Sequence, residues 1–280
     1  IELEVGYKLS VDKVNLSFLA NASYVKNEIK NLGNQTGYID KESLPTLGTV
    51  SRNQNGYPIG YFFGYKAIGV FQTQEEIDNY ISPATGKPIQ PNAVPGDTKF
   101  EDLNGDGVIS DDNEDRTMIG KPNPDWIVGL TVAADWNGFD LSAFFQGSFG
   151  ADVFDALRRY ELAAVNYTSD ALERWTGPGT SNSMPRIVLG DTPKNFRPST
   201  LLVHDASFLR LRNLQVGYTL PAQLTRKAYI QRLRFYASFD NLLTITGYKG
   251  MDPEIGSTMG IDKGVYPQAR VYTFGLNLTF

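Results

Sequence analysis

The chain of 280 residues carries 26 basic and 31 acidic side chains, a net charge of −5, with 12% aromatic residues among 41% hydrophobic ones. That balance gives no electrostatic footprint for a nucleic acid or for anionic lipid, and no run of about 20 apolar residues exists to cross a membrane as a helix. There is no cysteine and one histidine, His204, which excludes disulfides, thiolate metal sites and the two-histidine zinc motifs. Strands that show only every second residue to lipid stay open as a way to span a bilayer.

In chain order, the opening residues Ile1 to Val5 contain no initiator Met, no basic region and no signal-like apolar core, so the start reads as that of a processed product or a fragment. Period-two alternation then predicts seven long strands. In the first, Ile1, Leu3, Val5, Tyr7 and Leu9 oppose Glu2, Glu4, Gly6, Lys8 and Ser10. In the second, Val14, Leu16, Phe18, Ala20 and Ala22 oppose Asn15, Ser17, Asn21 and Ser23, with Leu19 the exception on the polar face. Residues 126–136 and 139–149 alternate likewise, apart from Ile127, Ala133 and Phe144, and Asn137-Gly138 between them supplies the two positive φ angles of a type I′ hairpin. Residues 207–219 and 231–241 form another pair, interrupted by Pro221. In the last strand Tyr272, Phe274, Leu276, Leu278 and Phe280 share one face.

The connections alternate between short (about 10–13, 137–138 and 220–230) and very long (about 26–125, 150–206 and 242–268). In an up-and-down meander all the long ones fall on one rim, as the extracellular loops of an outer-membrane barrel do. A soluble sandwich or lipocalin-like barrel accounts for the alternation but not for that asymmetry. The expected fold class is therefore all-β, a transmembrane antiparallel β-barrel with long extracellular loops. Because such barrels close with an even number of strands and an open edge cannot sit in lipid, seven strands predict a section of a larger barrel.

Several segments, in this order, resemble the C-terminal barrel of SusC/RagA-type TonB-dependent transporters: 60–65 with 69–72, Asp102-Leu103-Asn104-Gly105-Asp106-Gly107, Ile119 to Pro124, Asp205 to Leu214, and Phe239 to Thr244. The C-terminal run Thr273 to Phe280 resembles the insertion signal read by the barrel assembly machinery. The resemblance implies a 22-stranded barrel with an N-terminal plug outside this chain. It also implies import of oligosaccharides or oligopeptides, energy from the TonB complex, and a SusD-like surface lipoprotein over the extracellular mouth.

One loop carries metal-binding spacing. Asp102, Asn104 and Asp106 stand at positions 1, 3 and 5 of an EF-hand-like loop, Gly107 at 6, the Val108 carbonyl at 7 and Ser110 at 9, followed by Asp111. Position 12 is Asn113 rather than a bidentate carboxylate, so closure would fall to Glu114 or Asp115 if the loop bulges. The expected ion is a structural Ca²⁺ that stiffens an extracellular loop; the alternative is a solvated acidic turn. Residues 151–160, 169–175 and 74–80 are expected to form short helices, the second capped by Ser169 or Thr168. His204 lies beside Asp205, but no Gly-x-Ser-x-Gly elbow supplies a nucleophile, and a plain loop histidine is expected. Asn15, Ser17, Thr131, Asp140, Ser142, Gln146, Asn213, Gln215 and Arg234 fall on the polar face and are expected to line the lumen, facing plug or cargo. The competing function from another class is a standalone structural or adhesive barrel whose loops bind a surface partner. A weaker one is an outer-membrane enzyme, for which no motif is present.

Overall fold

The computed structural model describes residues 1–112, 114–254 and 259–280. Seven strands form one antiparallel sheet in chain order: β1 (Glu2–Val11), β2 (Val14–Tyr24), β3 (Trp126–Trp136), β4 (Phe139–Phe149), β5 (Phe208–Thr219), β6 (Arg232–Thr246) and β7 (Val271–Thr279). Each is paired to the next in sequence, as the alternating connections predict. Asn137 and Gly138 take φ of 48° and 85°, the left-handed pair a type I′ turn requires.

The register turns the alternation into two continuous faces. Across β1 to β4 the rows Tyr7–Phe18–Val132–Ala143 and Val5–Ala20–Leu130–Phe145 are apolar. Aromatic rows close this face at both ends: Tyr24, Trp126 and Phe149 at one, and Trp136, Phe139, Tyr218 and Phe235 at the other. The rings of Phe139 and Tyr218 meet at 4.4 Å between centroids and those of Tyr24 and Trp126 at 4.9 Å, both pairs tilted. Trp126 and Trp136 are ten residues apart on β3. That is about 33 Å of strand, and at the tilt of a barrel strand, about 40°, it spans about 25 Å, the height of an outer-membrane apolar band. Most of the large side chains of the apolar face are exposed, from Leu3 and Val5 to Phe274 and Leu276, while the small Ala143 is covered by its neighbours.

The opposite face is mostly polar, with Ile127, Ala133, Phe208 and Val271 as scattered apolar positions and one paired exception. Leu19 and Phe144, the two residues that break the sequence alternation most clearly, lie in the same row on either side of Thr131. They make one small apolar patch on the polar wall.

Two strands depart from simple pairing. Between β4 and β5 the register shifts so that Phe144 faces Asn213 and Phe145 faces Leu211, leaving Arg212 as the extra residue. Between β5 and β6, Leu211 faces Leu243 while Asn213 faces Asp240, and Asn241 takes a φ of 52°. Such bulges bend a strand and re-aim a side chain. The bulge also lets β6 continue to Thr246, five residues past the expected end at Asn241, so the third long loop begins at 247 rather than 242.

The three long loops are folded, not structureless. The first builds a four-stranded sheet from Tyr38–Asp40, Ser51–Gln54, Tyr61–Tyr65 and Arg116–Gly120. Asp152–Asp155 of the second loop pairs antiparallel with Val203–Asp205 and parallel with Ile261–Asp262 of the third. Val50, Phe62, Phe154, Leu202 and Ile261, drawn from all three loops, share one core.

This packing overturns the helix expected over 151–160. Val153 and Phe154 are almost wholly buried between one strand from the far end of the same loop and one from the third, and ladder pairing overrides the local helical pattern. The segment expected as a helix over 169–175 is a single 3₁₀ turn, Ser169–Glu173, with Thr168 at its N-cap making no side-chain cap. The helix Gln74–Asp78 is present, capped by Thr73 Oγ1, which accepts from Glu76 N at 3.2 Å.

Candidate functional site: the polar wall and its loops

All nine residues expected to line the lumen lie on the polar face, placed there by the register of β2 to β6. Five of them are joined into networks: Asp140, Gln215 and Arg234 with one another, Gln146 with Arg212, and Asn213 with Ser238 and Asp240. Near the short-turn end, Arg234 Nε and Nη2 donate to the two carboxylate oxygens of Asp140 at 2.9 and 2.5 Å, and Nη2 also reaches Gln215 Oε1 at 3.1 Å. This is a bidentate, planar pair, the strong form of charged hydrogen bond. Gly217 lies beneath it, where a Cβ would stand 2.5 Å from the guanidinium.

At the loop end the wall holds the third loop. Arg210, with its side chain 2% exposed, donates to Asp252 Oδ1 at 2.5 Å, to Glu254 Oε2 at 3.0 Å and to Thr244 Oγ1 at 2.9 Å. Arg212, turned to this face at the bulge, donates to Glu254 at 2.6 Å, to Gln146 Oε1 at 2.7 Å and to Asn241 Oδ1 at 3.3 Å. Asn241 in turn donates to the Ala269 carbonyl at 3.0 Å. Asp252 also accepts from the backbone of Glu254 and Gln268, both at 2.9 Å. These donors hold its carboxyl below the usual range against the opposing effect of burial, which is the largest single influence. Arg210, Arg212, Asp252 and Glu254 were not among the expected site residues. The alternation Leu209-Arg210-Leu211-Arg212 points both arginines to one face, and that signal was available in the sequence.

The acidic loop of 102–115 brings part of the expected set together. Asp102 accepts from Gly105 N at 2.8 Å and Gly107 N at 2.9 Å, Asn104 Oδ1 accepts from Asp106 N at 3.0 Å, and Asp106 Oδ1 accepts from Val108 N at 2.8 Å. Asn104 Nδ2 bridges Asp106 Oδ2 and Glu114 Oε2, each at 3.0 Å. Ser110 and Asp111 point elsewhere: Ser110 Oγ donates to Asp112, and Asp111 pairs with Lys194, whose hydrogen bond is the main cause of its lowered pKa. Asp115 is fully buried and accepts from Leu103 N at 3.0 Å and Ser110 N at 2.9 Å. Asn113 lies outside the described residues. Among the described residues, no three His, Cys, Asp or Glu side chains are grouped as metal ligands.

His204 sits in the strand paired with Val153, its Nε2 3.7 Å from Asp155 Oδ2 and its ring beside Tyr248. Burial first, and the nearby Arg158 second, push its pKa down, which favours the neutral ring.

No model of a protein family matches the chain. Among curated proteins it is 34% identical over 238 residues to TonB-dependent receptor P3 of Formosa agariphila, with 81% of this chain and 23% of that protein covered. It is 31% identical to TonB-dependent receptor P26 of the same organism over 96% of this chain and 27% of that one. It is 30% identical to TonB-dependent receptor SusC of Bacteroides thetaiotaomicron over 93% and 24%. Two solved structures align with the whole chain: the RagAB peptide transporter, at a TM-score of 0.74 and 26% identity over 29% of that chain, and the RagAB peptide importer in its open-open state, at 0.71 and 27% over 28%. The chain thus spans about a quarter of the length of the curated relatives it matches. With the two-faced sheet, its aromatic rows and its one-sided loops, these relationships place the chain in the family of SusC/RagA-type TonB-dependent receptors, its seven strands a section of their transmembrane β-barrel.

Proposed function

We propose that the protein to which this chain belongs imports oligosaccharides or oligopeptides across the bacterial outer membrane, driven by the TonB complex through parts outside these residues, with a SusD-like lipoprotein seated on the loop layer. The observation that carries this reading is the polar wall itself. A lipid-facing sheet whose other face is largely polar and carries charged and amide side chains, under a folded loop layer, suits an aqueous path through a membrane. The kinship to TonB-dependent receptors and to SusC supports energised import, and the RagAB likeness supports a lipoprotein partner. The test is uptake of labelled oligopeptides and oligosaccharides by cells with and without the gene, each with and without a protonophore. Import expects a gene-dependent uptake that the protonophore abolishes. Uptake unaffected by both would leave the standalone barrel as the better account.

We also propose that the acidic loop holds a structural Ca²⁺. Three of its expected ligands, Asp102, Asn104 and Asp106, already follow the loop's tight course. The amide of Asn104 stands between two carboxylates, where a cation would satisfy both. Glu114, not Asn113 or Asp115, is then the closing carboxylate, since its Oε2 already stands at the Asn104 amide opposite Asp106, whereas Asp115 is fully buried.

A further inference from the structure

A cavity of about 470 Å³ opens in the loop layer, lined by Thr46, Tyr65, Glu161, Asp191, Lys194 and Arg197 among others. Its size lies within the ~300–1,000 Å³ of small-ligand pockets. Two of its charged groups are incompletely matched. The Glu161 side chain is 8% exposed; its Oε1 accepts from Arg159 and from Thr46 Oγ1, while Oε2 is buried and accepts nothing among the described residues. Arg197 donates from Nε to the Lys194 carbonyl at 3.1 Å, but Nη1 is buried with no acceptor, its nearest carboxylate being Asp111 at 3.8 Å. Asp191 and Lys194, which also line the cavity, are already engaged: Asp191 accepts from Asn195 N and Phe196 N, both at 2.9 Å, and Lys194 pairs with Asp111.

A buried acceptor without a donor and a buried donor without an acceptor each leave a desolvation cost uncompensated, a larger one when the group is charged. The two share one cavity yet make no ion pair with each other. We propose that this cavity is a binding site for a short zwitterionic peptide, its ammonium end held by Glu161 and its carboxylate end by Arg197. A neutral sugar fits less well on two grounds. Its hydroxyls would leave the opposed charges uncompensated, and the one aromatic ring of the lining, Tyr65, is covered by the Arg197 guanidinium at 4.8 Å, so no bare ring is offered for stacking. Neither Glu161 nor Arg197 belongs to the barrel wall, so the site is separate from the polar face described above.

Binding is an equilibrium property that needs no energy source, so failure here and failure of energised import are separate results. The experiment is calorimetry on the full-length protein in detergent with trialanine, N-acetyl-trialanine, trialanine amide and maltotriose. Trialanine is expected to bind, and blocking either end to weaken binding at least about tenfold, roughly the worth of one charged hydrogen bond. Glu161→Gln is expected to remove the preference for a free amine while keeping that for a free carboxylate, and Arg197→Met the reverse. Hydrogen exchange on the unaltered protein provides a measurement independent of any variant: trialanine should slow exchange in 159–161 and 190–197. The proposal is overturned if trialanine neither binds nor protects these segments, if end-blocked peptides bind equally well, or if maltotriose binds in its place.

Discussion

Arg210 on the barrel wall and Asp252 in the third loop, 42 residues apart in sequence, meet through a 2.5 Å hydrogen bond with both side chains buried. The contact ties a loop to the wall beneath it. Removing one member strands a charge that burial has already stripped of water, a loss of about 3–5 kcal/mol for a buried pair. Arg210→Met is therefore expected to release residues 247–254, seen as faster amide exchange there while β5 and β6 stay protected. Arg212→Met should act more weakly, because its partner Glu254 is a third exposed. Equal protection of the loop in both variants would show that the pair does not hold it.

The β3–β4 hairpin gives a sharper test of backbone chemistry. Gly138 has φ of 85°, and a Cβ there would stand 2.7 Å from the Thr219 carbonyl, so Gly138→Ala meets both strain and a clash with backbone. A loss of about 1–3 kcal/mol is expected, read as a lower urea midpoint of the full-length barrel. Asn137→Gly keeps the left-handed turn and should stay within about 1 kcal/mol of the parent. The ranking of the two variants, not either value alone, checks the turn.

For calcium, the expected outcome is protection. Adding Ca²⁺ to chelator-treated full-length protein should slow exchange over 102–112, and Asp102→Ala or Glu114→Gln should abolish the effect. Heat and protection absent from the unaltered protein would reduce the loop to a solvated acidic turn.

Asp191 carries a pH dependence whose sign is fixed by its burial, which pushes its pKa up to about 6 against the donors from Phe196 N and Asn195 N. The folded chain thus binds this proton more tightly than the unfolded chain does. The group's contribution to stability is greatest below about pH 4 and is lost as the pH rises toward and through about 6, a change on the order of 2–3 kcal/mol. Local opening of 191–197, corrected for intrinsic exchange, should become less frequent as the pH falls from 7.5 to 5. In Asp191→Asn that trend should vanish.

The seven strands were legible because a wall between lipid and an aqueous lumen imposes period two on every residue, and the Asn-Gly turn announces its own geometry. Leu19 and Phe144 looked like noise in the alternation and proved to be neighbours around Thr131, a relation that only register reveals. What stayed hidden depends on contacts far apart in sequence. The segment Ala151 to Tyr160 has a helical spacing of apolar residues, yet its strand exists because Val203–Asp205 and Ile261–Asp262 come to pair with it. The bulge at Arg212 and Asn241 likewise cannot be read from either strand alone. In the candidate site, the wall residues followed from alternation. The Arg210–Asp252 tie did not, because nothing local says that Asp252 folds back onto β5.

The central claim, that these strands are a membrane wall with an aqueous inner face, is tested most directly by a cysteine scan of β4. These 280 residues contain no cysteine, so single substitutions from Phe139 to Phe149 report one position each. Labelled with a spin probe in outer-membrane vesicles, positions 139, 141, 143 and 145 should be accessible to lipid-dissolved oxygen. Positions 140, 142 and 146 should instead meet a water-soluble nickel chelate. Accessibility with no period of two, or water exposure on both faces, would contradict the account.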